Sequence, residues 1–296
     1  MGNSAVEASD VADAKVLRLP APAKLNLMLR IVGRRPDGYH LLQTVFQFID
    51  RCDWITLRER RDGSIRLQTP LPGVPADSDL TVRAAALLRS RTSTRRGVDI
   101  ALEKNLPMGG GLGGGSSDAA TVLAGLNALW ECGLTLQELQ DLGLRLGADV
   151  PVFLFGQAAW GEGVGEQLVP LDLPEPWYLV VVPACHVSTA DVFNAQDLTR
   201  NNPPVTIRAF FDGSHENHCL PVVLERYGAV RTAYAALTDL GAKPRLTGTG
   251  ACVFATFEEQ AQAERAAEQM LESQWVCFTA RALNRSPLLQ ALPPAP

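Results

Sequence analysis

A glycine-rich stretch in the first half of the chain, LPMGGGLGGGSSDAAT at 106–121, restricts the choice of folds more than any other feature. Six of the seven residues from Gly109 to Gly115 are glycine. Glycine loses much backbone entropy on folding, but it allows positive φ angles and a close approach of the backbone to a ligand. Apolar side chains recur at helical spacing from Val122 to Trp130, so the loop is predicted to lead into a helix.

The junction between this loop and the helix is predicted to bind phosphate. Ser116 or Ser117 is the predicted N-cap, and Asp118 suits the first turn. A glycine-rich loop at a helix N-terminus presents unpaired N–H groups at the positive end of the helix dipole, which favours anions. A flexible linker is the alternative, but glycine-serine linkers are usually polar on both sides, and an amphipathic helix follows this one.

Two familiar phosphate-binding motifs do not match the loop. A Walker A motif requires Gly-Lys-Ser/Thr, which is absent here. The letters GGGLGG have the G-x-G-x-x-G spacing, but no clear acidic ribose ligand follows about twenty residues later. The loop therefore predicts a phosphate-bearing ligand and leaves the chemistry open.

Composition argues against several classes of protein. The chain has 296 residues, 46% of them hydrophobic, which is enough for one large or two ordinary globular domains. A net charge of −5 argues against nucleic acid as a partner, and no apolar run approaches the length of a membrane span. The six cysteines occur singly without a CxxC pair, which favours reduced thiols in a cytoplasmic protein. Residues 1–16 lack a signal-peptide pattern and are expected to form a disordered leader.

Strands and helices are predicted to mix without a strict βαβ rhythm, which is typical of an α+β protein. Besides the helix after the glycine loop, helices are predicted over 77–92, 135–147, around Asp191, and over 216–227, 229–240 and 258–273. One or two strands, broken near the prolines, are predicted over 16–33, and a strand, a turn and a second strand over 41–60. Further strands are predicted over 63–69, 97–106, 148–171, 174–184, 243–257 and 275–283. Ser78 or Asp79 is the predicted cap of the first of these helices, and Thr135 of the second.

Three further stretches carry candidate chemistry. In PAKLNL, Lys24 and Asn26 are two residues apart, so on a strand they share one face and suit a site for oxyanions. In LGADVPVF, Asp149 stands between a predicted helix and an apolar strand, where it is a candidate either for a general base or for a group that orients a hydroxyl. In LTGTGACVF, Gly248 and Gly250 predict a second backbone-lined loop. A half-exposed edge strand, a helix-terminating turn and a tight turn are the respective alternatives.

Two stretches contain histidines. In DGYH, Tyr39 and His40 follow a turn and offer an aromatic face and a ring nitrogen to a planar ligand. A structural or solvated histidine is the alternative. In SHENH, His215 and His218 have a spacing that suits a metal ion on a helix, but no third ligand is apparent.

The stretches described above occur in the order PAKLNL, DGYHLLQTVFQFID, LPMGGGLGGGSSDAA, GADVPVF and LTGTGACVF. In this order they resemble the GHMP kinase superfamily, and the resemblance covers residues 17–289. The resemblance implies an ATP-dependent kinase with a two-lobed α+β fold and an active-site cleft between the lobes. It implies a ribosomal-protein-S5-like, ATP-binding N-terminal lobe at 17–160 and a ferredoxin-like C-terminal lobe at 161–290 that helps to hold the substrate.

The resemblance also implies roles for individual residues. Asp149 is the expected base for the substrate hydroxyl, Lys24 its catalytic partner, and Asn26 a hydrogen-bonding neighbour. The triphosphate is expected to contact Pro107, Gly109, Gly110, Gly111, Leu112, Gly113, Gly114, Gly115, Ser116 and Ser117. Magnesium is expected to ride mainly on the nucleotide phosphates, with Ser116 or Ser117 as a candidate contact and no other protein ligand identified.

The small-molecule substrate is expected to carry a cytidine diphosphate group, as in the members of the superfamily that this chain most resembles. Tyr39 and Phe193 are expected to stack on the cytosine and His40 to hydrogen-bond it, with Thr189 close by. A monomer or a homodimer is expected. The alternatives are a GHMP kinase for a small alcohol without a base, a non-catalytic nucleotide-binding protein and, more remotely, a dinucleotide-binding oxidoreductase.

Overall fold

The structure, a computed structural model, describes residues 14–294. Its centre is an antiparallel pair of long strands, β1 (Val16–Arg34) and β2 (His40–Arg60), which run together over almost their whole length. The middle of each strand is buried, because other strands and helices cover the pair. Strand β2 runs without a break, so the turn predicted within 41–60 is wrong. The leader predicted at 1–16 lies almost entirely outside the described residues.

Within this range the strands form one sheet of ten, in which only β3 and β4 pair in parallel. The remaining strands are β3 (Ile65–Leu67), β4 (Gly97–Glu103), β5 (Ala159–Glu162), β6 (Gln167–Pro170), β7 (Trp177–Val181), β8 (Arg245–Leu246), β9 (Val253–Phe257) and β10 (Cys277–Leu283). Strands β4 and β5 pair with β2 in the first half. Strand β10 joins β2 to β7, so the sheet continues into the second half.

Helices cover this sheet in both halves. They are α1 (Leu80–Thr92), α2 (Gly114–Leu129), α3 (Leu136–Leu144), α4 (Val150–Phe155), α5 (Thr189–Phe193), α6 (Ile207–Phe211), α7 (Leu220–Arg226), α8 (Gly228–Asp239), α9 (Gln260–Glu272) and α10 (Pro287–Ala291). Helix α2 packs on α1 and β1, and α9 packs on β7 and β10. The predicted α+β class is confirmed, although α6 and α10 were not predicted. No helix between residues 14 and 294 combines the length and apolarity that crossing a bilayer requires.

Two predicted helix caps are correct and one is wrong. Asp79 accepts a hydrogen bond from the N–H of Thr81, and Thr135 forms a reciprocal capping box with Glu138. Helix α2 starts at Gly114, so Ser116 and Ser117 lie inside its first turn and do not cap it. The helix starts early because the residue before it, Gly113, has a left-handed φ of 74° that ends the loop.

The apolar stretch predicted as a strand over 148–171 begins instead with a helix, α4, and only its later part forms β5 and β6. A short apolar run that is buried on all sides carries no periodicity, so helix and strand cannot be distinguished from it. Pro151 in the first turn suits a helix, because that position needs no N–H donor. Asp149 is therefore the residue at the start of α4 and not at the start of a strand.

The strand predicted over 243–257 is also divided, because the loop 247–252 separates β8 from β9. A cluster of buried apolar side chains joins the two halves of the chain behind this loop. It includes Met28 and Ile49 from the central pair and Phe254 from β9. The lobe boundary predicted between 160 and 161 falls inside β5 and stays a prediction.

Candidate active site

Two adjoining cavities lie beside the glycine loop. Their volumes are about 430 and 390 Å³. Lys24 and Asn26 line the larger, which we call the lysine compartment; the smaller, lined by the glycine loop, is the glycine compartment. Five residues line both and make them one cleft: Gly109, Gly111, Ser116, Asp149 and Thr189.

Lys24 and Asp149 meet in this cleft. Nζ of Lys24 lies 3.2 Å from Oδ2 of Asp149, and it donates to Oδ1 of Asn26 at 2.5 Å and to the carbonyl of Gly111 at 3.2 Å. An ammonium has three donors, so these oxygens use all of them. Only 2% of the lysine side chain is exposed, against 37% of the aspartate. The pair therefore holds an accessible carboxylate beside a buried positive charge.

Irregularities in β1 help to place Lys24 and Asn26. The register of β1 against β2 shifts between Pro22 and Lys24, and again between Asn26 and Met28. Such bulges bend a strand locally and redirect its side chains. Both side chains line the lysine compartment, as their spacing predicted, and both are buried, so the alternative of a half-exposed edge strand is wrong.

Thr44 on β2 orients Asn26, and sequence reasoning did not identify it. Nδ2 of Asn26 donates to Oγ1 of Thr44 at 2.8 Å, and that hydroxyl donates to the carbonyl of Met28 at 2.6 Å. The amide oxygen is thereby left to face Lys24. Thr44 gave no local signal, because its role depends on the pairing of β1 with β2.

The glycine loop is held from the other side by the loop 247–252. Oγ1 of Thr247 donates to the carbonyl of Gly111 at 3.0 Å. The N–H groups of Ala251 and Cys252 donate to the carbonyls of Gly109 and Gly110, at 3.3 and 3.1 Å. The two predicted backbone-lined loops therefore contact each other directly. Of the predicted nucleotide contacts, Ser117 lies buried outside both compartments, and the glycine compartment is lined by Pro107, Gly109, Gly110, Gly111, Leu112, Gly113, Gly114, Gly115 and Ser116.

A buried charge cluster below the glycine loop was missed by sequence reasoning. Nζ of Lys104 donates to Oδ2 of Asp53 at 2.5 Å and to Oδ2 of Asp118 at 2.7 Å. Asp53 also accepts hydrogen bonds from the N–H groups of Asn105 and Leu106. Burial raises the pKa of Asp118 to about 7, with Lys104 opposing the rise and Asp53 adding to it. The signal available in the sequence was the presence of these charged residues within apolar stretches.

The residues predicted to bind the cytosine are only partly brought together. The rings of His40 and Phe193 stack with centroids 4.9 Å apart, and Phe193 lines the lysine compartment. Thr189 lines both compartments and shares a 3.0 Å hydrogen bond with Thr249. Tyr39 is 61% exposed, and neither Tyr39 nor His40 lines a compartment. The structure therefore brings Phe193 and Thr189 to the cleft, with His40 stacked on Phe193, but it does not bring Tyr39 there. Stacking of a base by Tyr39 and Phe193 stays a prediction.

The two histidines of SHENH are occupied by other contacts. The ring of His215 packs against Phe210, and Nδ1 of His218 accepts the N–H of Ile31 at 3.1 Å. Between residues 14 and 294, no three histidine, cysteine, aspartate or glutamate side chains are grouped as a metal site would need. All six cysteines are free thiols.

Two family models match most of this arrangement. The model described as GHMP kinases N terminal domain matches residues 79–157, which include the glycine loop and Asp149, and that described as GHMP kinases C terminal matches 205–277. The chain belongs to the GHMP kinase family.

Relatives of this GHMP kinase match it along nearly its whole length. A 4-diphosphocytidyl-2-C-methyl-D-erythritol kinase of Methylococcus capsulatus is 59% identical over 96% of this chain and 97% of its own. The protein of the same name from Nitrosococcus oceani is 55% identical, over 94% and 98%. The crystal structure of a 4-(cytidine 5'-diphospho)-2C-methyl-D-erythritol kinase superposes with a TM-score of 0.77 at 33% identity, covering 90% of this chain and 99% of that one.

More distant structures share the fold of this GHMP kinase. A homoserine kinase from Cytophaga hutchinsonii has a TM-score of 0.68 at 16% identity, over 92% of this chain and 95% of its own. The predicted two-lobed GHMP kinase fold is therefore confirmed. Membership of the family also supports ATP as the phosphate donor, as the resemblance implied.

Proposed function

We propose that this kinase transfers the γ-phosphoryl group of ATP to the 2-hydroxyl of 4-diphosphocytidyl-2-C-methyl-D-erythritol, in the non-mevalonate route to isoprenoid precursors. The observation that carries the proposal is the Lys24–Asp149 pair in a cleft whose other compartment is lined by the glycine loop. Relatives at 52–59% identity over more than nine-tenths of the chain bear the name of this kinase, which supports the choice of substrate.

In the proposed reaction the substrate hydroxyl oxygen attacks the γ-phosphorus as the bond to the bridging oxygen of ADP breaks. The hydroxyl proton passes to the carboxylate of Asp149, which faces the cleft. Phosphoryl transfer needs little covalent chemistry from the protein, and its rate depends on positioning and electrostatic stabilisation. The backbone of Gly109–Gly115 supplies the positioning on the nucleotide side.

Lys24 acts on both reactants in this proposal. Its ammonium pairs with the carboxylate of Asp149 at 3.2 Å and orients it towards the substrate hydroxyl. Its positive charge also stabilises the negative charge that develops on the transferred group. Asn26 and the carbonyl of Gly111 keep the ammonium in place.

Magnesium belongs to the proposal as an ion carried by the nucleotide. Such ions take oxygen ligands, often one or two from the protein and the rest from phosphates and water. The first turn of α2 fits this chemistry: Ser116 lines both compartments, and Oγ of Ser117 is buried without a hydrogen-bond partner among the described residues. One of these hydroxyls would hold the ion, which neutralises phosphate charge when bound.

In the substrate subsite, Phe193 and Tyr39 are proposed to stack on the cytosine and His40 to hydrogen-bond it, with Thr189 beside the substrate. The stack of His40 with Phe193 supports this subsite, because Phe193 already faces the lysine compartment. We further propose that the enzyme is cytoplasmic, acts as a monomer or homodimer and binds no nucleic acid.

The test is ADP release from Mg-ATP with and without 4-diphosphocytidyl-2-C-methyl-D-erythritol, for the wild type, Asp149→Asn and Asp141→Asn. Asp141 is a matched control, because its carboxylate lies on the exposed surface of α3 and accepts a hydrogen bond from Gln137. We expect release to require the substrate and to fall at least about 10³-fold in Asp149→Asn, with ATP affinity kept. Wild-type turnover by Asp149→Asn would refute the assignment of Asp149 as the general base.

Competition by CDP separates this substrate from other alcohols. If ATP binds, but neither the proposed substrate nor CDP changes ADP release, the protein is a GHMP kinase for a small alcohol that carries no nucleobase. If ATP binds and no alcohol supports ADP release, a non-catalytic nucleotide-binding role is favoured.

A further inference from the structure

The guanidinium of Arg200 joins the start of β2 to the end of α5. Its Nε donates to Nε2 of His40 at 3.1 Å. Its Nη2 donates to the carbonyls of Phe193 and Ala195 at 2.9 and 2.5 Å, and its Nη1 to that of Leu198 at 3.0 Å. Three of the four contacts therefore satisfy carbonyls at or just after the end of α5, where a cation is favourable. The fourth contact acts on an imidazole.

The contact with Arg200 determines which nitrogen of His40 carries the proton. A guanidinium has only donors, so the nitrogen that faces it must be an acceptor. Nε2 is therefore unprotonated, and the single proton of the neutral ring is on Nδ1. Among the described residues Nδ1 makes no hydrogen bond, so its N–H is available to a ligand.

The surroundings of His40 favour the neutral ring. Burial lowers the pKa of His40, and the positive charges of Arg200 and Arg34 lower it further. Protonation of Nε2 would also break the hydrogen bond from Arg200 and leave two donors 3.1 Å apart. At neutral pH His40 is thus a single, defined tautomer whose one N–H donor has no partner among the described residues.

We propose that Arg200 is a positioning residue that holds His40 as the neutral, Nδ1-protonated tautomer, so that His40 donates a hydrogen bond to an acceptor atom of the substrate's cytosine. The inference rests on the proposed function, because it needs a cytidine group in the lysine compartment. Through the carbonyl of Phe193, the same guanidinium also ties the stacking ring to the hydrogen-bonding ring.

This tautomer allows the subsite to distinguish cytosine from uracil. Cytosine presents two acceptors, N3 and O2, on the edge that pairs with guanine, whereas N3 of uracil carries a proton. A fixed donor directed at N3 favours cytosine, because uracil would oppose a donor to a donor. A mismatch of this kind costs about the free energy of one hydrogen bond, so we expect CDP to bind at least about tenfold more tightly than UDP.

The first experiment measures the tautomer in the free wild-type protein. Long-range ¹H–¹⁵N correlation spectra of protein labelled with ¹⁵N-histidine distinguish protonated from unprotonated ring nitrogens, and loss of the signal in His40→Asn assigns it. We expect Nδ1 to be protonated and Nε2 unprotonated at pH 7. A proton on Nε2, or a cationic ring at pH 7, would overturn the inference without any further variant.

The second experiment measures CDP and UDP binding by calorimetry for the wild type, Arg200→Met and Arg226→Met. Arg226 is the matched control, because its ion pair with Asp197 lies on the surface of the same lobe. In Arg200→Met the neutral ring is free to take either tautomer. We expect CDP affinity at pH 8 to fall about tenfold, the preference over UDP to shrink towards one, and ATP affinity to stay unchanged.

The pH dependence separates positioning from a merely structural role. In Arg200→Met, CDP binding should strengthen from pH 8 to pH 6, because the protonated ring carries hydrogens on both nitrogens and regains the Nδ1 donor. The wild type should change little over this range. An equal loss for CDP and UDP that does not depend on pH would mean that Arg200 only supports the fold, and the inference would be wrong.

Two further outcomes keep the inference apart from the function on which it rests. If Arg200→Met does not fold, Arg200→Lys retains the charge and one donor group, and it should preserve part of the CDP preference; loss of all preference there would contradict us. If the wild type binds no CDP, the proposed function fails and this inference fails with it. If it binds CDP with the proton on Nε2, only the inference fails.

Discussion

Replacing Gly111 by alanine tests whether the glycine loop is shaped by the loop 247–252. A Cβ at this position would lie 2.2 Å from the carbonyl oxygen of Thr247 and 3.0 Å from that of Gly250, whereas ordinary contact begins near 3.4 Å. Both neighbours are backbone atoms, so no side chain can rotate away. One of the loops would have to retreat by about 1 Å, a displacement that can cost about 10²-fold in rate.

The expected loss of stability in Gly111→Ala has two parts. Gly111 has a φ of 74°, and an alanine there costs about 1–2 kcal/mol of backbone strain. Displacement of the loop would also weaken the hydrogen bonds that the carbonyl of Gly111 accepts from Lys24 and Thr247, which together contribute about 2–3 kcal/mol. We therefore expect the free energy of unfolding to fall by about 3–5 kcal/mol.

Gly133→Ala is the matched control for Gly111→Ala. Gly133 has a similar φ of 70°, but a Cβ there would meet nothing within 4 Å. It should lose no more than about 1–2 kcal/mol, and its kcat should be unchanged. Urea unfolding gives the free energies, and ADP release gives kcat. If Gly111→Ala loses no more stability than Gly133→Ala and keeps its kcat, the contact between the loops does not constrain the site.

Three further predictions concern polar groups that are buried or partly buried. Lys104→Met should lower the free energy of unfolding by about 3–5 kcal/mol in urea titrations, because it leaves two buried carboxylates without their cation; Asp118→Asn should restore part of the loss, and additive losses would contradict us. Thr44→Val should lower kcat about tenfold with little change in ATP affinity, because Asn26 loses the hydroxyl that orients it, and an unchanged kcat would argue against that role. Burial, reinforced by a neighbouring arginine, lowers the pKa of His218. The unfolded chain therefore binds the proton more readily, and stability gained from the neutral ring is present above the unfolded pKa and lost as pH falls through the folded pKa. The difference in unfolding free energy between the wild type and His218→Gln should thus be larger at pH 8 than at pH 5; a difference independent of pH would contradict the assignment.

Local sequence rules succeeded where a single segment carries all the information. The run of glycines before an apolar, helical pattern predicted the loop and α2, and the two-residue spacing of Lys24 and Asn26 predicted their common face. The same rules failed for α4, because its apolar side chains are buried on every side and no periodicity remains. They also placed the start of α2 too late, because the glycine before it ends the loop first.

The candidate site itself divides in the same way. The sequence alone determined which chemical groups are available: a glycine-rich loop, a lysine with an amide two residues away, and an aspartate before an apolar run. Only the tertiary structure decided which of them meet, and it added partners that no local pattern indicated. Nε of Arg200 reaches His40 across 160 positions of the chain, and Nζ of Lys104 reaches Asp53 across 51. Contacts of this kind depend on how the strands pair and pack, because a side chain's partner is set by distance in space and not by distance along the chain.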